Sequence, residues 1–182
     1  GFTSIMIDAS KYPIEDNIKL TKEVVDYAHS KGVTVEAEIG RISGTEDNLY
    51  DEKYNASLEE CILLVTKTGI DFLAPALGSV HGLYNGEPNL DFSTMKQLKQ
   101  KLNIPLVLHG GTGICKSDLK KAMTCGICKI NFNTELQIAW TKGIKDFMNS
   151  NENIYDPRKI ISSGEKNIKQ IVREKIRILS NK

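Results

Sequence analysis

Short apolar runs alternate with segments of helical character along this chain, and that alternation restricts the fold more than any other feature. The runs are SIMIDAS (4–10), TVEAEIG (34–40), DFLAPALG (71–78), IPLVLHG (104–110) and CKINFNT (128–134). Near-continuous apolar strands of this kind belong to parallel sheets covered by helices. Between the first two, Ile18, Leu20, Val24, Val25 and Ala28 recur at mostly helical spacing over 15–31, with Gly32 as a stop. Ser57 and Glu60 form a capping-box pair ahead of CILLVTKTG, which ends on Gly69. Helices are also expected over 93–102, 117–126, 135–149 and 164–179, with 149–159 as a polar break. This β-α-β-α order leaves two architectures, an open doubly wound sheet or a (β/α)8 TIM barrel.

The polar residues favour the barrel. They come late in each run or just after it: Asp8 and Ser10, Glu36 and Glu38, His81, His109, and Asn131 with Asn133 and Thr134. Parallel strands present their C-terminal ends on one face. An open sheet brings such groups together only at a switch point, whereas a barrel gathers all of them around one mouth. A full barrel takes eight strands and about 250 residues, so three strand–helix units are expected to be missing. The opening GFTSIMIDAS reads as a strand already under way, as in a processed chain or a fragment. Residues 1–182 are expected to form a single domain, the C-terminal portion of the barrel, with strands 4–8 and a C-terminal helix.

Composition narrows the function by exclusion. A net charge of +1 offers no electrostatic footing for nucleic acid or an anionic membrane. No apolar run reaches the roughly 18 residues of a membrane span, and no signal-peptide pattern opens the sequence. Four cysteines are too few for a disulfide scaffold, which points to a reducing cytoplasm. Cys61 reads as core and the CGIC of 125–128 as packing, without a second pair or a histidine to complete a zinc site.

Two of the three histidines end apolar runs and precede glycine: His81-Gly82 and His109-Gly110. Neighbouring strands lie about 4.8 Å apart, so both imidazoles can reach one ion, with Glu38 as a carboxylate beside them. On the residues alone, a metal site and hydrogen-bonded structural histidines both remain open. His29, in YAHSKG, reads as a surface residue near a helix end. In HGGTG, Gly110, Gly111 and Gly113 let backbone N–H groups approach an anion, Thr112 adds a hydroxyl, and a helix start follows near Ser117. If the five runs are strands 4–8, HGGTG and NFNT (131–134) close strands 7 and 8, where barrels often bind phosphate. That agreement favours the phosphate reading over a plain turn. The long segment 41–57 carries Glu46 and Asp47, candidates for a general acid/base against a solvated acidic loop. Lys129, at a strand start, is expected on the face away from the histidines.

With these residues assembled, the chain resembles the class II fructose-bisphosphate aldolases. VEAEIG, ALGSVHGLYNGEPNLDF, PLVLHGGTGI, KINFNTE and YDPRK occur in that family's order over essentially all 182 residues. The resemblance implies strands 4–8 of a TIM barrel and a lyase cleaving fructose 1,6-bisphosphate to dihydroxyacetone phosphate and glyceraldehyde 3-phosphate. His81 and His109 then match two zinc ligands, and Asp8 and Glu38 match acidic positions of a second or displaced metal site. Gly82, Gly110, Gly111, Thr112, Asn131, Phe132, Asn133 and Thr134 match the triose-phosphate site, near which a monovalent cation commonly sits. Glu46 matches a mobile-loop acid, and Arg158 an arginine for the distal phosphate. The resemblance further implies a cytoplasmic homodimer or homotetramer. The family's Asp-His pair, which closes strand 3 with an acid/base and the remaining zinc ligand, has no counterpart here. The chain alone is therefore expected to be inactive. Tagatose-bisphosphate cleavage is the alternative activity, and a non-catalytic phosphate-binding half-barrel the alternative of another class.

Overall fold

In the computed structural model, which describes residues 1–42 and 54–180, the five apolar runs are five strands. They are β1 (Ser4–Ile7), β2 (Thr34–Ile39), β3 (Phe72–Pro75), β4 (Leu106–Leu108) and β5 (Ile127–Ile130). All neighbours pair in parallel, in the order β1-β2-β3-β4-β5. Doubly wound sheets reverse direction at a switch point, whereas a barrel adds each strand beside the last. The unreversed order is therefore that of a barrel segment. The four crossovers carry the helices α1 (Ile14–His29), α2 (Leu58–Thr68), α3 (Phe92–Lys101) and α4 (Lys116–Thr124).

Local chemistry accounts for the boundaries. In α1 the buried residues Asn17, Thr21, Val25 and Ala28 fall on one stripe at helical spacing. The Ser57–Glu60 capping box forms in both directions at the start of α2. Gly69 then ends that helix in the left-handed conformation. Leu64, Leu73, Met95, Leu98, Leu106 and Leu119 are fully buried between helices and sheet. Each such side chain stabilises the fold by about 1.5–3 kcal/mol relative to exposure. Cys61 joins this core as expected, and burial pushes its thiol up to about 12. His29 closes α1 on the surface, paired with Asp71 at 2.9 Å.

The chain divides into two compact units, Gly1–Asn131 and Phe132–Lys182. The second contains α5 (Thr134–Ser150), α6 (Pro157–Ser162) and α7 (Glu165–Leu179). Here α5 packs on α7, and Trp140 Nε1 donates to the Ile161 carbonyl at 3.0 Å. A Cβ at Gly164 would lie 1.6 Å from Trp140 Cδ1, so only glycine fits at that crossing. The helix α6 corrects the expectation of a plain polar break over 149–159. Asp156 caps it through the Arg158 N–H, and Pro157 occupies its first turn. The CGIC stretch also departs from its expected packing role: Cys125 caps the C-terminus of α4, and Cys128 is exposed on β5. No described helix is long and apolar enough to cross a membrane.

Candidate functional site

The strand alternation of β2 aims Glu36 and Glu38 to the same face of the sheet. His109 follows β4 directly and is 5% exposed. Its Nε2 meets Glu36 Oε1 at 2.9 Å and its Nδ1 meets Glu38 Oε2 at 2.8 Å. The other oxygen of Glu36 accepts from Lys129 Nζ at 2.7 Å. Both glutamates are buried. Lys129 lies on β5 and Glu36 on β2, three strand spacings apart, or about 14 Å in a flat sheet whose side chains stand parallel. Their contact requires the sheet to curl strongly, as a barrel wall does.

This contact corrects the expectation for Lys129, which points toward the histidine and not away from it. His81 stands beside the cluster, its ring stacked on that of His109 with centroids 5.9 Å apart. Burial by itself would push the His109 imidazolium toward losing its proton. Hydrogen bonds and charge from Glu36 and Glu38 outweigh burial and raise its pKa to about 9. Burial likewise opposes the charge on Glu36, but His109 and Lys129 hold its carboxyl below the usual range.

The loop after His109 is tied to its neighbours by backbone contacts. Gly110 has φ +69°, and a Cβ there would lie 2.1 Å from the Val80 carbonyl oxygen. Glycine is thus required where the HGGTG loop crosses the loop carrying His81. Tyr84 stitches the same two loops: its hydroxyl donates to the Gly110 carbonyl at 3.1 Å and accepts from the Val80 N–H at 3.3 Å. The Gly111 N–H donates to the Asn131 carbonyl at 2.9 Å, so it is engaged within the protein and not aimed at a ligand. Thr112 is buried, and Gly82 takes φ +101° next to His81.

The other expected site residues lie elsewhere. Asp8 is exposed after β1 and accepts from the Ser10 N–H at 3.0 Å, outside the contacts of His109. Phe132, Asn133, Thr134 and Arg158 belong to the second unit. There, Lys175 Nζ lies 4.8 Å from the Phe132 ring centre. Thr134 opens α5, preceded by Asn133, and the Arg158 guanidinium forks onto Asp156 at 3.1 and 3.0 Å. Glu46 and Asp47 fall outside the described residues. A cavity of about 420 Å³ opens beside Ser10, Tyr12, Gly40, Arg41 and Tyr54, at the ends of β1 and β2, and His109 does not line it. Sequence reasoning missed Glu36 as a partner of His109, and missed Lys129 and Tyr84. The period-two spacing of Glu36 and Glu38 was the available signal for the first.

The model of the class II fructose-bisphosphate aldolase family matches residues 1–182. The chain belongs to that family. A fructose-bisphosphate aldolase from Geobacillus stearothermophilus is 52% identical over 178 residues, covering 97% of this chain and 62% of that relative. One from Staphylococcus aureus is 53% identical over the same span and coverage. Among solved structures, the YdjI aldolase of Escherichia coli K12 superposes with a TM-score of 0.82 at 36% identity, over 99% of this chain and 62% of that one. The fructose-bisphosphate aldolase of Campylobacter jejuni does so with 0.78 at 25% identity, over 98% and 60%. The chain thus spans somewhat under two thirds of the length of these aldolases.

Members of this family are generally metal dependent, which raises whether the residues here suit a metal. The donor chemistry does: two imidazoles stand ring to ring, and His109 has a buried carboxylate on each nitrogen. A carboxylate on one nitrogen of a ligating histidine is the usual way such a ring is oriented. The set is nonetheless incomplete, because among the described residues no three histidine, cysteine or acidic side chains are grouped to hold an ion.

Proposed function

We propose that this chain supplies the metal-binding and triose-phosphate-binding part of a zinc-dependent aldolase that reversibly cleaves fructose 1,6-bisphosphate. The products would be dihydroxyacetone phosphate and glyceraldehyde 3-phosphate, as in cytoplasmic sugar breakdown. The observation that carries this reading is the buried His109, held between two glutamates, stacked on His81 and followed without a gap by the Gly110–Thr112 loop. His81 and His109 would hold the zinc, with Glu38 beside them, and Asp8 is assigned to a second or displaced position by the family resemblance. When bound, zinc polarises the substrate ketone and stabilises the negative charge that cleavage leaves behind.

The protein's own contribution is positional. The His109 ring cannot rotate without breaking contacts at both nitrogens, so its orientation is set before any ion arrives. The Gly110 crossing and the Tyr84 stitch fix the phosphate loop one residue from that ring. Binding energy from a phosphate at Gly82, Gly110, Thr112 and Asn131 would hold the reacting carbons in place. A monovalent cation would offset the phosphate charge there. The family resemblance assigns Phe132, Asn133, Thr134 and Arg158 to phosphate contacts, and Glu46 to the proton exchange at the triose carbon. Residues 1–182 are read as one part of a single barrel domain that acts as a homodimer or homotetramer.

With an incomplete ligand set, the 182-residue polypeptide alone should turn over no substrate. The test supplies, fused or in trans, the portion of the Geobacillus stearothermophilus relative that this chain does not match. Fructose 1,6-bisphosphate cleavage should then appear, vanish with a chelator and return with zinc. Borohydride with substrate should trap nothing. Chelator-resistant cleavage, or full cleavage by the chain alone, would contradict the reading.

A further inference from the structure

The whole-chain charge of +1 averages over a strong division. Residues 1–91 carry 7 lysines and arginines against 16 aspartates and glutamates, whereas residues 92–182 carry 17 against 7. In the second half many of the cations gather on two neighbouring helices, α3 and α4, which pack on each other. Residues 92–126 hold Lys96, Lys99, Lys101, Lys116, Lys120 and Lys121 against the single acid Asp118. All six lysines are exposed, and among the described residues none of them pairs with a carboxylate. Two of them are drawn into the seam between the helices. Lys99 lays its stem across Gly126, where a Cβ would meet it at 2.8 Å, and its Nζ donates to the Thr124 carbonyl at 3.2 Å. Lys121 Nζ lies 4.0 Å from the centre of the Phe92 ring. Both contacts hold an ammonium in place without neutralising it.

The kind of partner follows from what accompanies this charge. No large hydrophobic side chain is exposed on α3 or α4. The face therefore has neither an anchor for a lipid layer nor the apolar centre of a protein interface. Its one aromatic ring, Phe92, lies under Lys121 and is not open to stack on an unpaired base. It holds no arginine, whose planar fork suits specific recognition, and lysine meets phosphate as a point charge. What remains is positive charge on long stems, which suits a regular array of phosphates. We infer that the α3–α4 face binds the phosphate backbone of a nucleic-acid duplex.

The 182-residue chain is titrated into a fluorescein-labelled random-sequence duplex, once as DNA and once as RNA, and binding is read by anisotropy. Binding of either duplex supports the inference, and the two arms tell which backbone the face takes. The dissociation constant should lie at about 1–100 μM at physiological salt and rise with salt along a log–log slope of about 4, as four or five neutralised phosphates require. Lys96→Glu combined with Lys120→Glu should weaken binding at least about tenfold and lower that slope by about 2. Lys145→Glu combined with Lys166→Glu changes the net charge equally, but on α5 and α7, and should leave affinity within about twofold. All four lysines are exposed, so circular dichroism should show both double variants folded. No saturable binding to either duplex would overturn the inference. So would equal losses in the two double variants, which would mean attraction to overall charge, or tighter binding of the unpaired strand. Capture on vesicles of anionic phosphatidylglycerol, with both duplexes left unbound, would make the face a membrane surface and equally overturn it.

Discussion

His109 shows what one residue can and cannot reveal before the fold is known. Its place at the end of an apolar run, ahead of glycines, already marks it as a group at the strand ends. Its partners are less visible, because Glu36 and Lys129 are separated by 93 residues and meet only through sheet curvature. The spacing of Glu36 and Glu38 gives a shared face, but no local pattern encodes how far a sheet curls. Gly110 offers a sharper test at this scale. Gly32 has the same φ of +69° with nothing near its missing Cβ, whereas a Cβ at Gly110 would meet the Val80 oxygen at 2.1 Å. Gly32→Ala should therefore cost about 1 kcal/mol, the price of the left-handed backbone alone. Gly110→Ala should cost at least about 2 kcal/mol more, as overpacking against backbone does. Urea denaturation of the two variants measures the difference; equal losses would mean that the loop crossing is loose.

At the scale of elements, the helices with strong end signals were the easiest to read. The Ser57–Glu60 pair and Gly69 bound α2 as their chemistry requires. Ser57→Ala should destabilise the protein by about 1 kcal/mol in thermal or urea unfolding. Some burial opposes the Glu60 charge, but bonds from the Ser57 hydroxyl and N–H and from Tyr54 outweigh it, so its pKa lies below the usual value. A lowered acid stabilises the fold above its unfolded pKa, and that contribution is lost as pH falls through the folded value. Glu60→Gln should accordingly flatten the stability curve on the acid side of pH 4.5, with little change in its slope at neutral pH. A parent and variant with parallel curves from neutral pH into acid would contradict the capping role. The helix α6, by contrast, is only six residues long. It is too short to display a hydrophobic period, and its capping Asp156 and leading Pro157 resemble an ordinary turn.

For the whole molecule, the strand order carries the architecture. Five parallel strands added one beside the last, with a side-chain contact from β2 to β5, are the wall of a barrel. The late polar residue in each run made this legible, since only a barrel gathers so many strand ends. Membership of the second unit was not legible, because the NFNT stretch reads continuously across Asn131 and Phe132. Among the described residues, β1 and β5 each have one strand neighbour. Edges of this kind invite pairing with other chains. The 182-residue polypeptide alone should therefore associate as concentration rises, visible by light scattering; a concentration-independent monomer would argue against open edges.

The central claim is that the His109 cluster is the metal-binding part of a class II aldolase. The most direct measurement is cleavage of fructose 1,6-bisphosphate by this chain joined to the unmatched portion of its Geobacillus stearothermophilus relative. Zinc-restored activity that a chelator removes, and that His109→Ala and His81→Ala each reduce by several orders of magnitude, is the predicted result. Cleavage that survives the chelator, or that either histidine variant leaves intact, would contradict it.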